Sequence, residues 1–504
     1  MRWPENPVLA GCYPDPSATR VGDDYYLVTS TFEYFPGLPI FHSTDGENWL
    51  QVGHALDRVG QLDLASVPSS GGLFAPTLRH HDGTWYLTCT LVHGTGKQGN
   101  FVLTADDPAG PWSDPHWLDD ARGIDPSLFF DDDGRAWFCA TRLATAPLWP
   151  EQTEVWLREF DLRTLGLTGD ETVLWTGALT GAVWAEGPHL YRRNGWYYLL
   201  ASEGGTEINH AVSVARSRSI TGPYSGHRAN PVLTHRNLGR RYPVTGVGHS
   251  DLVETADGDW FAVLLASRSY DTEGSPRGHA NLGRETFMVA VEWEDDWPVF
   301  APGTARVDST AREDAPSRSM PASFEWTQVR TGDPAFAAVD PDAARVTLRP
   351  STATLADLAT PSFLGIRQHH RRTGFRATLR PVTLGSSVAG LAVRQSEAAH
   401  LQLLVDSRGT VTLSRIDAGG GLVLASIATS GDDLELEVVI ALPHYEFRVT
   451  SDSRRTVVAA CDGSFLSSQE AGGFLGTWLG LVAVRPESPG DPTPVSFENV
   501  SYGT

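Results

Sequence analysis

The sequence predicts an all-β protein in which a five-bladed β-propeller is followed by an antiparallel β-sandwich. Its 50 glycines and 33 prolines in 504 residues are typical of short strands joined by tight turns. A turn followed by an aromatic-rich strand recurs five times, beginning at Gly22, Asp82, Asp133, Asn194 and Asp257. Successive turns begin 60, 51, 61 and 63 residues apart. A repeat of this length, in a sequence with strand patterns and almost no helical periodicity, predicts a propeller with one four-stranded sheet per repeat. Five repeats predict five blades.

The change in sequence pattern after the fifth repeat predicts the domain boundaries. After Trp297-Pro298 the chain becomes rich in Ala, Pro, Ser and Arg, which predicts a linker. From Ser323 short apolar or alternating segments resume, and this pattern favours an antiparallel sandwich. We therefore predict a propeller over residues 1–302, a linker over 303–322 and a sandwich over 323–504.

Charge and hydropathy exclude several classes of partner. The net charge of −22 opposes binding to nucleic acid or to an anionic membrane, whereas a neutral substrate is compatible with it. The first residues contain no apolar signal segment, and no stretch approaches the length needed to span a bilayer. The sequence thus predicts a cytoplasmic protein without nucleic-acid or membrane partners, and it is compatible with a homo-oligomer.

Chemically active side chains occupy matching places in the repeats. Phe74, Asp125, Glu186 and His249 each stand eight residues before a repeated turn, and Asp15 stands seven or eight before the first. Equivalent places at the start of the innermost strands of a propeller face its central channel. The repeat therefore predicts that these five side chains converge on one axis.

Converging carboxylates indicate acid–base chemistry. Neighbouring carboxylates repel each other, so one can stay ionised as a base while another stays protonated as an acid. Glycoside hydrolysis needs such a pair. Asp15 and Asp125 each precede a Pro-Ser pair, and the proline predicts an extended backbone at the aspartate.

Several motifs follow one another along the chain: Asn6-Pro7-Val8-Leu9-Ala10-Gly11, Asp15-Pro16-Ser17, Glu186-Gly187-Pro188-His189, Gly248-His249-Ser250-Asp251, Leu282-Gly283-Arg284-Glu285 and Trp293-Glu294-Asp295-Asp296-Trp297-Pro298. In their order and spacing they resemble glycoside hydrolase family 43, in particular its β-xylosidase and α-L-arabinofuranosidase branch with a C-terminal sandwich. The resemblance implies that Asp15 is the general base and Glu186 the general acid. It implies that Asp125 orients the acid and raises its pKa. It also implies that the anomeric configuration of the sugar is inverted in a single displacement. The base and the acid should then lie about 6.5–9.5 Å apart, which leaves room for a water molecule.

The resemblance also implies the rest of the site. Arg284 matches an arginine that binds the hydroxyls of the terminal sugar, and Phe32 and Phe74 match the aromatic walls of the pocket. Phe74 stands where relatives commonly have tryptophan. His249 matches a histidine that in some relatives helps to hold a hydrated calcium, although a hydrogen-bonding role is favoured here and no cofactor is required. The resemblance also implies that the sandwich packs on the propeller and that one of its loops helps to close the pocket. The Gly473-Phe474-Leu475-Gly476 segment could face the active site, but it is not assigned to it.

The implied function is that of an exo-acting, inverting glycoside hydrolase. Such an enzyme releases terminal β-D-xylose, α-L-arabinofuranose or both from xylo-oligosaccharides or arabinoxylo-oligosaccharides. The alternatives are an enzyme that is mainly an α-L-arabinofuranosidase, an endo-arabinanase and, outside the enzymes, a non-catalytic sugar-binding propeller.

Overall fold

The structure, a computed structural model, describes residues 5–272, 278–330, 333, 335–487 and 492–503. The first part of the chain forms five antiparallel sheets, and the later part forms two larger antiparallel sheets. Within the described residues, helix is confined to the 3-10 turns Arg236–Leu238, Ser323–Glu325, Pro381–Thr383 and Ser464–Leu466 and to the α-helix Ser468–Ala471. None of these is long or apolar enough to cross a membrane.

The five small sheets are the predicted blades. Their strands are β1 (Ser17–Val21), β2 (Asp24–Val28), β3 (Tyr34–Phe35), β4 (Gly37–Ser43) and β5 (Leu50–Leu56); β6 (Gly72–Leu73), β7 (Thr77–His81), β8 (Thr84–Val92), β9 (Gly99–Ala105) and β10 (His116–Trp117); β11 (Ile124–Phe130), β12 (Ala136–Leu143), β13 (Thr153–Asp161) and β14 (Gly166–Trp175); β15 (Glu186–Arg193), β16 (Trp196–Glu203), β17 (Ala211–Ser217), β18 (Ser225–Gly226) and β19 (Leu233–Thr234); β20 (Val244–Glu254), β21 (Trp260–Arg268), β22 (Glu285–Glu294) and β23 (Trp297–Phe300). Of these, β3 lies outside the blades.

Each repeated turn joins the innermost strand of a blade to the next strand. The hairpins β1–β2, β7–β8, β11–β12, β15–β16 and β20–β21 are antiparallel, with the repeated turns between their strands. Aromatic and aliphatic side chains that follow these turns are buried between blades, which explains why the repeat is rich in them. The prediction of five blades is confirmed.

The ring of blades is closed by packing between the fifth and the first. One apolar cluster contains Leu27 and Phe41 of the first blade together with Phe261 and Met288 of the fifth. The segment before β1 adds to this closure, because the Leu9 amide donates to the carbonyl of Thr286 at 3.2 Å. The two ends of the propeller are thereby held together by both apolar packing and backbone hydrogen bonds.

The sandwich consists of an eight-stranded and a seven-stranded sheet. Its strands are β24 (Thr327–Val329), β25 (Ala337–Asp340), β26 (Arg345–Leu348), β27 (Phe363–Arg367), β28 (Arg372–Leu379), β29 (Val388–Ser396), β30 (Ala399–Val405), β31 (Thr410–Asp417), β32 (Gly420–Ala428), β33 (Leu434–Ala441), β34 (His444–Ser451), β35 (Arg454–Asp462), β36 (Trp478–Val484) and β37 (Val495–Tyr502). Alternate residues along these strands face a common apolar core between the two sheets.

The propeller contributes one strand to the sandwich. β3 pairs with β24, with Tyr34 opposite Val329, and it forms the edge of the eight-stranded sheet. The Tyr34 ring stacks on Trp478 of β36 at 3.9 Å. Strand structure passes from the last blade to the sandwich between Phe300 and Thr327. The predicted limits of the linker at 303 and 322 stay predictions.

Candidate active site

A pocket opens where the inner strands of the blades begin, and it contains all seven residues that the sequence singles out. It encloses about 390 Å³ of space that is partly open to solvent, which is at the small end for ligand pockets. Its walls are Asp15, Phe32, Phe74, Ala75, Ile124, Asp125, Glu186, Thr206, His249, Arg284 and Phe474. The five side chains that the repeat brings together therefore line one pocket, along with Phe32 and Arg284, which only the resemblance placed there.

The backbone is irregular where the repeat places these side chains. The inner strand of the second blade is interrupted at Phe74, between β6 and β7. The strand pairings of β11, β15 and β20 shift register near Asp125, Glu186 and His249, respectively. Asp15, Asp125 and His249 have φ values of 55°, 56° and 48°. The expected extended backbone at the two aspartates is therefore wrong, because this left-handed conformation turns the side chain out of the strand and into the pocket.

Asp15 is a buried carboxylate held in its ionised form. It accepts hydrogen bonds from Ser30 Oγ at 2.5 Å and from Arg284 Nη1 at 3.2 Å, and His249 Nδ1 lies 3.8 Å from its Oδ1. Burial by itself raises the pKa of Asp15, but Arg284, His249 and the Ser30 hydrogen bond outweigh burial and hold the pKa below its usual value. Asp15 is thus ready to accept a proton.

Glu186 is the opposite case. Burial raises the pKa of its carboxyl well above the usual range, and the negative charges of Asp125 and Asp15 raise it further, while Arg284 only partly opposes them. The side chain is therefore protonated at a pH at which Asp15 is ionised. One pocket contains a carboxylate that accepts a proton and a carboxylic acid that donates one.

Asp125 is a third buried carboxyl of the pocket, and it contacts the backbone next to Glu186. Its Oδ2 accepts a hydrogen bond from the Gly187 backbone N–H at 3.0 Å, which fixes the chain next to Glu186. Burial raises the pKa of Asp125 to about 6; the neighbouring Asp15 charge also raises it, while His249 and the Gly187 N–H limit the rise. Its position suits a residue that holds and tunes the acid.

Arg284 joins the charged and the aromatic sides of the pocket. Besides Asp15, its Nη1 donates to Thr206 Oγ1 at 2.8 Å. Its guanidinium lies 5.7 Å from the centre of the Phe32 ring and 5.1 Å from that of Phe474, both within cation–π range. The Arg284 guanidinium is therefore a charged hydrogen-bond donor that these contacts hold in one orientation.

Phe474, which the sequence left unassigned, belongs to the pocket. It comes from the sandwich, and its ring stacks on Phe32 at 5.9 Å and meets Phe74 edge-on at 5.9 Å. Three phenylalanines thus form one apolar side of the site. The adjacent glycines were a local signal of a tight loop, but no periodicity relates this loop to the propeller. Thr206, Ala75 and Ile124 were likewise missed and carried no distinctive motif.

Beneath the pocket, Asp251 forms a buried hub on the propeller axis. Its carboxylate accepts hydrogen bonds from Ser17 Oγ at 2.8 Å, from Tyr191 OH at 2.6 Å, and from the Ala18 N–H at 3.1 Å. Arg79 adds a bidentate ion pair at 2.9 and 3.1 Å. Side chains from four blades are thereby held together below the carboxyl groups of the pocket.

Among the residues that the structure describes, no set of metal ligands surrounds His249. Its backbone N–H donates to Ser202 Oγ at 2.5 Å, and its ring lies beside Asp15. Across the described residues, no group of three or more His, Cys, Asp or Glu side chains is placed to hold a metal ion. These residues do not fit a directly liganded metal, and a hydrated calcium at His249 stays a prediction.

Family models match both parts of the chain. The model of glycosyl hydrolases family 43 matches residues 4–298, and the model described as the β-xylosidase C-terminal concanavalin A-like domain matches residues 319–503.

Relatives and solved structures match along nearly the full length. The chain is 40% identical to a xylosidase/arabinosidase of Butyrivibrio fibrisolvens, over 95% of each chain. It is 33% identical to a non-reducing end α-L-arabinofuranosidase of Bacteroides ovatus, over 95% of this chain and 90% of the relative. The crystal structure of a xylan β-1,4-xylosidase from Bacillus halodurans superposes with a TM-score of 0.87 at 30% identity, covering 99% of this chain and 100% of that one. The chain therefore belongs to glycosyl hydrolase family 43.

Proposed function

We propose that this protein is an exo-acting, inverting glycoside hydrolase that releases terminal β-D-xylose, α-L-arabinofuranose or both from xylo-oligosaccharides or arabinoxylo-oligosaccharides. The observation that carries the proposal is the opposed protonation of two buried carboxyls in one pocket. Asp15 has a lowered pKa and Glu186 a strongly raised one. A base and an acid of this kind are what single-displacement hydrolysis requires.

Glu186, Asp15 and Asp125 have different roles in the hydrolysis. The Glu186 carboxylic acid donates its proton to the glycosidic oxygen as the bond to the anomeric carbon breaks. Asp15 accepts a proton from a water molecule that attacks that carbon from the opposite face, so the configuration inverts. Burial and, after it, the negative charge of Asp125 keep Glu186 protonated, and Asp125 also fixes the adjoining backbone through Gly187.

The shape of the pocket supports exo action on a small sugar. Its volume of about 390 Å³ and the three phenylalanines on one side suit a single pentose, whose C–H faces pack on aromatic rings. Phe474 closes the site from the sandwich side, whereas an endo-arabinanase needs an open groove. A non-catalytic sugar-binding propeller would not need an acid and a base with opposed pKa values.

A mainly arabinofuranosidase activity is the second candidate. Two of the relatives support it by their names, one a xylosidase/arabinosidase and one an α-L-arabinofuranosidase. β-D-Xylopyranose and α-L-arabinofuranose present similar hydroxyl layouts that one pocket can accept.

Initial rates on p-nitrophenyl β-D-xylopyranoside and p-nitrophenyl α-L-arabinofuranoside test the proposal, with Asp15→Ala as the blank. We expect hydrolysis of at least one substrate, its loss in the variant, and release of the inverted anomer seen by proton NMR. The ratio of the two rates decides between the xylosidase and the arabinofuranosidase. Retention of configuration, or no activity on either substrate or on xylo-oligosaccharides, would reject the proposal.

A further inference from the structure

Phe474 belongs to a loop of the sandwich, yet its ring forms a wall of the propeller pocket. The loop, residues 472–477, lies between the short helix Ser468–Ala471 and β36. A ring that is to pack on a sugar must be held in one position, since each freely rotating side chain costs affinity when it is ordered on binding.

Ser70 of the propeller holds the backbone of Phe474. The Phe474 N–H donates to Ser70 Oγ at 2.8 Å. Ser70 itself has φ 68°, an uncommon backbone conformation for a residue other than glycine. A Cβ at Gly473 would collide with Ser70 Oγ, so the glycine permits the close approach of the two loops.

Ser70 is in turn fixed by Glu33. Its N–H donates to Glu33 Oε2 at 3.2 Å, and the neighbouring Ser69 Oγ donates to Glu33 Oε1 at 2.8 Å. Glu33 is fully buried and follows Phe32, another wall of the pocket. The same carboxylate therefore sits beside one aromatic wall and, through Ser70, supports a second.

The charge of Glu33 is balanced from the sandwich. Arg394 on β29 is fully buried and donates through Nη1 to Glu33 Oε1 at 3.1 Å, and through Nη2 to Ser69 Oγ at 2.8 Å. The next residue, Gln395, donates to the Gly472 carbonyl at 3.0 Å. One strand of the sandwich thus holds the propeller loop at Ser69 and the start of the Phe474 loop.

We propose that Ser70, held by the buried Glu33–Arg394 ion pair, is a positioning residue that fixes Phe474 against the bound sugar. A buried ion pair adds little net stability compared with apolar side chains of the same volume. Here its contacts order two loops that meet at the pocket. The proposal rests on the proposed function and deepens it, because it names the residue and the hydrogen bonds that hold the Phe474 wall of the sugar site in place.

A double-mutant cycle of Ser70→Ala and Phe474→Ala separates positioning from simple adhesion between the domains. In the wild-type background, loss of the Ser70 hydroxyl should raise KM about fivefold, the equivalent of one ordinary hydrogen bond, and leave kcat within about twofold. In the Phe474→Ala background the same change should have no effect on KM. Ser66→Ala is the matched control, because Ser66 lies in the same loop and bonds to Thr95.

Hydrogen–deuterium exchange of a peptide covering residues 472–477 tests the same contact without any activity. We expect faster exchange at the Phe474 amide in Ser70→Ala and unchanged exchange in Ser66→Ala. Equal effects of Ser70→Ala on KM in both backgrounds, or unchanged exchange, would overturn the inference while leaving the proposed function intact. An inactive wild-type enzyme would count against the proposed function, and the exchange result would still decide the role of Ser70.

Discussion

Removing Arg79 should destabilise the propeller strongly, because it leaves the Asp251 carboxylate buried without its counter-charge. The Asp251 side chain is fully buried and accepts two of its five hydrogen bonds from Arg79. Breaking a buried ion pair from one side costs about 3–5 kcal/mol. We expect Arg79→Leu to lower the free energy of unfolding by that amount.

Urea unfolding followed by tryptophan fluorescence measures the effect, and a second variant identifies its cause. In Arg79→Leu/Asp251→Leu neither charge of this ion pair remains buried, so the double variant should recover much of the stability lost in the single one. Arg135→Leu is the control, since this exposed arginine pairs with Asp133 at the surface and should contribute less than about 1 kcal/mol. A loss below about 1 kcal/mol in Arg79→Leu would refute the hub as a source of stability.

The Asp251 hub also makes the free energy of unfolding depend on pH. Although burial alone would raise the pKa of Asp251, Arg79, His189 and the Tyr191 hydroxyl hold it well below its usual value in the folded state. A depressed folded-state pKa contributes stability that is present above the ordinary carboxyl pKa and is lost as the pH falls below it. The urea midpoint should therefore fall on acidification, and it should fall less steeply in the double leucine variant.

Three changes in the pocket test the acid and the base through kcat/KM and its pH profile. Glu186→Gln should remove most of the rate and, with it, the basic limb; an unchanged profile would contradict its role as the acid. Asp125→Asn keeps an acceptor for the Gly187 N–H but removes the charge that raises the pKa of Glu186, so the basic limb should move to lower pH. If the rate fell equally at every pH and the basic limb did not move, Asp125 would only orient Glu186 and would not raise its pKa. Arg284→Ala removes the cation that most lowers the pKa of Asp15, so the acid limb should move to higher pH, and a static acid limb would show that other groups set that pKa.

The repeat was the most informative feature of the sequence for both fold and site. Because each turn closes the inner hairpin of a blade, a count of eight residues back from it reaches the same place in every blade. Asp125, Glu186 and His249 could be placed on one axis for this reason alone. The roles of Arg284 and Phe32, which lie outside the count, came only from the resemblance to the family.

The conformation at the aspartates shows where local rules fail. Proline disfavours a helical residue before it, and an extended backbone was the simplest expectation. The fold instead holds Asp15 and Asp125 in the left-handed region, where a local preference of about 1–3 kcal/mol is overridden by the surrounding strands. Such strain depends on tertiary contacts that the dipeptide does not contain.

By itself, the sequence determined the five blades, the sandwich and the meeting of acidic side chains on the propeller axis, since all three depend on periodicity and turn chemistry within short segments. The resemblance implied which carboxyl is acid and which is base, whereas only the tertiary structure accounts for their opposite pKa shifts. Burial and the charges of Asp125 and Asp15 raise the pKa of Glu186, while at Asp15 the effect of burial is outweighed by Arg284 and His249, which lie more than 200 residues away in the chain. The tertiary structure also decided that Phe474 completes the pocket, through a contact with Ser70 that joins residues 404 positions apart. No local pattern encodes such a contact, because it depends on how the sandwich packs against the propeller.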